Sequence, residues 1–312
     1  MKASGWIPLL PYLLLSASTD AQVRAGGPEQ LLLRSGQTWP LASPSARKSV
    51  SAPALNGVVA LRGAIRGGRI GPVTISGAYR AIETSKTASV SDLVVDGLMG
   101  HVQRECYRVR GDRITIRNVH CDMIDGPQKS PNLPEGLHIE AGSDILVERS
   151  SFKGFQMTIP GNRYWNGDGI AAERDVSGLT IRDVVADDNT DAGFDIKPPV
   201  KMDQVSASGN CRNFRLWSDS EIGTMTVGNS IKRGPKTTCA GLWVKGDATA
   251  QPVVRVRKLV VRMTKPGDII RIEEGPANLT IDECDIQAPP GSTLIVAVSK
   301  AGKVQLGRGC RV

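Results

Sequence analysis

Aromatic residues are scarce in this chain of 312 residues, at 4%. With so few rings to stack on bases and no recognition motif beside them, the net charge of +8 does not read as a nucleic-acid-binding surface. No Cys-x-x-Cys spacing occurs among the six cysteines, which argues against a cysteine metal cluster. Beyond residue 16 no run is long and apolar enough to cross a bilayer. A sustained helical pattern is lacking too: apolar residues recur at period two, and 34 Gly with 19 Pro interrupt any long 3.6-residue periodicity.

What the chain contains instead is a repeated frame, a small turn that often ends in Gly and leads into a strand of alternating apolar and polar residues. It occurs as Glu135-Gly136-Leu137-His138-Ile139-Glu140, Asp168-Gly169-Ile170-Ala171-Ala172-Glu173, Asp191-Ala192-Gly193-Phe194-Asp195-Ile196-Lys197, Arg212-Asn213-Phe214-Arg215-Leu216-Trp217, Ala240-Gly241-Leu242-Trp243-Val244-Lys245 and Asp268-Ile269-Ile270-Arg271-Ile272-Glu273. The first inward residues Leu137, Ile170, Phe194, Phe214, Leu242 and Ile270 are 33, 24, 20, 28 and 28 residues apart, one coil per repeat. A second strand type precedes each coil at 93–96, 114–117, 145–148, 179–182, 225–227, 259–262 and 279–282. Two short strands per coil with Gly-, Asn- and Asp-rich turns predict an all-β fold, a single-stranded right-handed parallel β-helix.

Alternation along a strand sorts the side chains. Leu137, Ile139, Ile170, Ala172, Phe194, Ile196, Phe214, Leu216, Leu242 and Val244 are predicted to point inward. With coils stacked roughly 4.8 Å apart, their neighbours form two outward columns. One is His138, Ala171, Asp195, Arg215, Trp243, Arg271, and the other Glu140, Glu173, Lys197, Trp217, Lys245, Glu273.

An apolar run at residues 6–16 after Lys2, followed by small residues, reads as a secretory signal peptide over residues 1–21, with an apolar core too short to span a membrane. Residues 22–55, rich in Ser, Ala, Pro and Gly, read as a leader or N-terminal cap, and 56–312 as the β-helix domain. The expected location is secreted or periplasmic, with no stable membrane insertion after cleavage, and the expected state is a monomer. Export makes disulfides the expected fate of the cysteines. Fifteen pairings are open. Cys211 and Cys239 each lie three residues before the first inward residue of a coil, Cys284 and Cys310 lie about one coil apart, and Cys106 with Cys121 remains. A basic exported chain favours an anionic partner, here an acidic polysaccharide.

Asn166-Gly167-Asp168-Gly169-Ile170-Ala171-Ala172, followed by Asn189-Thr190-Asp191-Ala192-Gly193-Phe194-Asp195, resembles the β-helical pectate lyases of polysaccharide lyase family nine. The resemblance covers about residues 130 to 220. It implies calcium held by Asp168, Asp191 and Asp195, while Ala192 stands where the family has a fourth aspartate. The family's catalytic lysine lies in a Gly-Phe-Lys-type strand, and its counterpart here is Asn213-Phe214-Arg215, so Arg215 takes the lysine's place. A weaker likeness to polygalacturonase-type hydrolases rests on the Asn-Thr-Asp motif alone.

Lyase cleavage of a polyuronate removes the proton beside the carboxylate and expels the glycosidic oxygen by β-elimination. The carboxylate must be neutralised first, a task for calcium on hard oxygen ligands, with Asn189 or Glu173 as supplements. A guanidinium resists proton loss, whereas lysine is easier to tune. Either Arg215 is the base and Lys197 binds carboxylate, or the roles are exchanged. Arg212, Trp217, Trp243, Lys245, His138 and Glu173 are the expected substrate contacts, with the tryptophans as sugar-stacking surfaces. Two alternatives stand beside the lyase: a glycoside hydrolase using Glu140 with Glu173 or Asp191 with Asp195, and a non-catalytic β-helix that binds a surface or capsular polysaccharide.

Overall fold

A computed structural model describes residues 30–39, 48–51, 56–127, 129, 131–159, 161, 164–235, 238–246, 251–297 and 302–312. The expected signal peptide, 1–21, lies outside the described residues. Among these residues no helix forms. Every strand pairing is parallel, and the first sheet runs in chain order from Leu31–Leu32 through Asn56–Leu61, Arg80–Thr84, Glu105–Arg110, Glu135–Ser143, Asp168–Ala172, Ala192–Ile196, Arg212–Leu216, Ala240–Lys245 and Asp268–Glu273 to Thr293–Ala297. A second sheet advances beside it from Thr38–Trp39 to Val304–Arg308. Each turn of chain adds one strand to both sheets, which is the parallel β-helix, with the right-handed turn general to parallel crossovers. Short strands at Leu31–Leu32, Thr38–Trp39 and Lys48–Ser51, within the segment expected as leader or cap, pair with the coils that follow.

The register is the one the repeat requires. Leu137 pairs with Ile170, Ile170 with Phe194, Phe194 with Phe214, Phe214 with Leu242 and Leu242 with Ile270. All are fully buried, and Phe194 stacks on Phe214 with ring centroids 4.9 Å apart. The recurring glycine of the frame has a steric cause. A Cβ on Gly136 would come within 2.5 Å of the Gly169 carbonyl oxygen, one on Gly169 within 2.8 Å of the Gly193 oxygen, and one on Gly193 within 2.6 Å of the Asn213 oxygen. Each glycine therefore lies under the backbone of the next coil.

The second sheet departs from the sequence reading. Its strands are long, such as Leu179–Asp187, Val200–Ser208, Ser220–Val227 and Val253–Arg262. A stacked column of left-handed residues marks the bend from Asn118 (φ 51°) through Arg149 (47°) and Asp183 (53°) to Gln204 (52°), and Ser220–Val227 and Val253–Arg262 continue the same change of phase without one. Each such coil has three faces rather than two. The seven segments expected as one strand type therefore split into two phases. Ile181, Met202, Ile222, Val256 and Ile281 share one row, whereas Val184, Val205, Met225, Leu259 and Cys284 share another beyond the bend. The strand Val200–Ser208 was not foreseen.

Three disulfides form: Cys106–Cys121, Cys211–Cys239 and Cys284–Cys310. Cys211 and Cys239 stitch successive coils directly behind the Arg212–Ala240 register pair.

Candidate functional site

Strand pairing places the outward residues as expected. His138, Ala171, Asp195, Arg215, Trp243 and Arg271 are register partners in succession. A third charged row lies at the start of the same strands and escaped the sequence reading. In it Arg80 pairs with Glu105, Glu105 with Glu135, Glu135 with Asp168, and further on Ala192 with Arg212. Between those last two pairs the Asp168 carboxylate accepts from the Ala192 N–H at 2.8 Å, so the row is continuous.

The three aspartates are buried: Asp168 2%, Asp191 0% and Asp195 5% exposed. Asp191 is the hub. Arg212 Nη1 donates to one of its oxygens and the Tyr164 hydroxyl to the other, and Arg215 Nη1 lies 3.3 Å from that second oxygen. Arg212 Nη1 also donates to the Tyr164 oxygen at 2.7 Å. Asp195 accepts from Trp217 Nε1 at 2.6 Å and lies 3.8 Å from Arg215.

Burial drives the pKa of Asp168 well up, and the neighbouring charges of Asp191, Asp195 and Glu135 push the same way. Asp195 is also raised, because its burial outweighs Arg215, Trp217 and Lys197. Arg215 shifts up as well: burial opposes this, but the charges of Asp195 and Asp191 prevail. Burial, then the Asp191 charge, keeps the Tyr164 phenol protonated well above its ordinary range.

Beside this hub a cleft of ≈ 480 Å³ is lined by Arg110, Glu140, Glu173, Arg174, Lys197 and Trp217, among others. Lys197 Nζ donates to both oxygens of Glu173 at 2.6 Å. Arg110 holds Glu140. The half-buried Trp217 ring carries Lys245 Nζ 3.7 Å from its centroid and the Arg215 guanidinium carbon 4.6 Å away, and Lys245 is paired with Glu274 at 2.6 Å. His138 Nδ1 lies 2.8 Å from Glu135 and Nε2 3.9 Å from Glu173, in ion-pair range although neither ring nitrogen has a hydrogen-bond partner. Burial pulls the imidazole pKa down, but Glu135, with Glu105 and Glu140, outweighs it and the net shift is upward. A cleft of similar size, ≈ 500 Å³, lies along Leu179, Lys201, Glu221 and Arg255 on the second sheet. No aspartate hub accompanies it, so volume does not select the site.

Several expected contacts are placed differently. Trp243 is 4% exposed, with the Arg212 guanidinium 3.8 Å from its ring centroid, so it offers no open stacking surface. Arg212 is itself 5% exposed, behind Tyr164. Asn189 faces the interior, where its amide accepts from Phe155 N and donates to Asn210, so it is a turn cap rather than a cation ligand.

The donor set does not fit calcium as the resemblance implies. Calcium takes six to eight oxygens at about 2.3–2.6 Å, and Ala192 removes one carboxylate. Both Asp191 oxygens hold donors, two of them guanidinium groups. Asp168 and Asp195 each accept a hydrogen bond. Among the described residues, the group of three whose ligand atoms all lie within 4.8 Å of one another is Glu105, Glu135 and His138. Glu105 is already enclosed by Arg80, Arg104 and Arg108 at 2.6, 3.0 and 2.7 Å, which makes that group part of an ion-pair network.

Tyr164 is the site residue that sequence reasoning missed. It comes from the long connection between Leu146–Lys153 and Asp168–Ala172, and no strand phase constrains such a residue.

No protein-family model matches this chain, and no curated protein does. Among solved structures it is similar to the crystal structure of pectate lyase Pel9A, with 14% identity and a TM-score of 0.46 over 88% of this chain and 71% of that one.

Proposed function

We propose that this chain is an exported polysaccharide lyase that cleaves a uronic-acid polymer by β-elimination across the face around Asp195, Arg215 and Trp217. The observation that carries the reading is the in-register run of cationic and aromatic side chains over consecutive coils. Arg215, Trp243 and Arg271 share one row, and beside it Lys197 and Trp217 line a cleft wide enough for a sugar unit, with Lys245 against the Trp217 ring. One cation per coil step, each now held by a carboxylate that a uronate would replace, suits a linear polyanion. The three disulfides support export.

Of the two role assignments left open by the sequence, the upward shift of Arg215 favours one. Arg215 stays a guanidinium and neutralises the uronate carboxylate, and Lys197 takes the proton. Glu173 is positioned to carry away the ammonium proton that Lys197 must first lose. The amine then removes the proton from the carbon beside the carboxylate. The freed electron pair forms a double bond to the next carbon, whose bond to the glycosidic oxygen breaks, and that oxygen leaves with a proton from solvent.

A second reading, non-catalytic binding of the same polymer, is favoured by one observation: in the resting arrangement both Glu173 oxygens hold Lys197, the group the elimination needs as a base. Incubation with pectate, alginate and glycosaminoglycans, with calcium and with chelator, separates the two. Unsaturated product absorbing in the near ultraviolet is the expected result. Binding without product selects the second reading, new reducing ends without absorbance select a hydrolase, and no binding to any polyuronate refutes both proposals.

A further inference from the structure

Three N–H donors around Asp191 are buried and have no acceptor within the protein: Nε of Arg212, Nε of Arg215 and Nε1 of Trp243. Buried donors are nearly always paired, so three in one cluster mark the place of an acceptor from outside the chain. The donors are close-set, with the Arg212 and Arg215 guanidinium carbons 3.8 and 6.0 Å from the Trp243 ring centroid. Each arginine directs Nη1 at Asp191 and leaves its buried Nε–H without a partner. That N–H belongs to the fork through which a guanidinium receives a carboxylate. The cluster reaches the surface at Tyr164, which is 38% exposed and whose hydroxyl bonds both Arg212 and Asp191.

The same residues explain why the calcium ligand set is broken. Ala192, which lacks the family's carboxylate, pairs in register with Arg212 one coil on. With alanine at one step and arginine at the next, this row presents a cation beside Asp191 where the resemblance implies a fourth carboxylate. Asp191 then serves as a positioning residue, fixing both guanidinium groups instead of ligating a metal.

We infer that Arg212, Arg215 and Trp243 form a metal-independent seat for a uronate carboxylate, in which two guanidinium groups supply the charge that calcium supplies in the lyases this sequence resembles. The inference rests on the polyuronate reading above.

The test is calorimetric binding of a galacturonate oligomer to the full chain, in chelator and then in calcium, with terbium emission sensitised by Trp217 and Trp243 as a separate readout of metal at the site. Equal affinity in both buffers and no sensitised terbium emission are expected. Arg215→Met is expected to weaken binding at least tenfold in chelator, and Arg215→Lys to restore part of it. The wild-type comparison needs no variant to fold. Affinity that vanishes in chelator, or terbium emission from the wild-type protein, overturns this inference and leaves the polyuronate reading standing. Absence of binding in both buffers, repeated with alginate and glycosaminoglycan oligomers, overturns the two together.

Discussion

Asp168→Asn is expected to make this protein more stable at neutral pH, the reverse of the usual result of removing a buried polar charge. Asp168 is 2% exposed and accepts one backbone hydrogen bond, from Ala192, while its pKa is raised by burial and by Asp191, Asp195 and Glu135. The sign follows from linkage. Below the unfolded pKa, about 3.9, the carboxyl is protonated in both states and imposes no penalty. Above it the unfolded chain ionises while the folded chain holds its proton. Stability therefore falls with rising pH, by about 1.4 kcal/mol per pH unit, until the folded pKa is passed and the loss is complete. Asparagine keeps an oxygen for the Ala192 N–H and carries no charge, so it removes this slope. Urea unfolding of the wild type and Asp168→Asn between pH 4 and pH 8 reads the effect directly. The variant's advantage should be near zero at the acid end and grow through the window where the wild-type carboxyl is ionised only in the unfolded state. An Asp168→Asn chain that is less stable than wild type at neutral pH would show that a cation compensates this carboxylate, and would refute the electrostatic argument.

Gly193→Ala is expected to cost about 1–3 kcal/mol in denaturant unfolding, because the new Cβ meets the Asn213 oxygen at 2.6 Å and the Ala186 oxygen at 2.9 Å, both backbone atoms; an unchanged midpoint would show that the coils separate freely. Cys239→Ser opens the Cys211 cross-link over 28 residues and is expected to lower stability by about 2–4 kcal/mol, with the loss absent when both proteins are compared under reducing conditions.

The inward residues, the coil register and the outward rows were legible in the sequence because side-chain direction in a strand has period two and stacking forces the same phase on every coil. The bend in the second sheet was not. In four coils it is marked by single left-handed residues, Asn118, Arg149, Asp183 and Gln204, which share no residue type, and in Ser220–Val227 and Val253–Arg262 by none. Motif spacing brought Asp168, Asp191 and Asp195 to one region, but it was silent on what neutralises them. Arginine side chains are long, and which carboxylate Arg212 reaches is decided by the 20-residue coil that sets it directly after Ala192 in the stack. Trp243 was misplaced for the same reason: its strand position points it outward, and Arg212 then covers it.

The variation in coil length shows how a regular scaffold acquires an individual site. Coils of 24 and 20 residues carry Asp168, Asp191 and Asp195, and they are flanked by coils of 33 and 28. The extra residues of the longer coils lie mainly in two connections, 154–167 and 228–239, and the described parts of these meet over the short coils. Gly234 lies so close to Trp165 that a Cβ would be 2.9 Å from that side chain, and Arg233 donates to the Asn189 carbonyl at 2.8 Å and pairs with Asp188. The first connection also delivers Tyr164 to Asp191 and Arg212. Strand stacking fixes the aspartates and arginines with little freedom, whereas the inserted connections decide what reaches them. What covers this face is therefore set by the described parts of these two connections, and the charge arrangement beneath belongs to the coils.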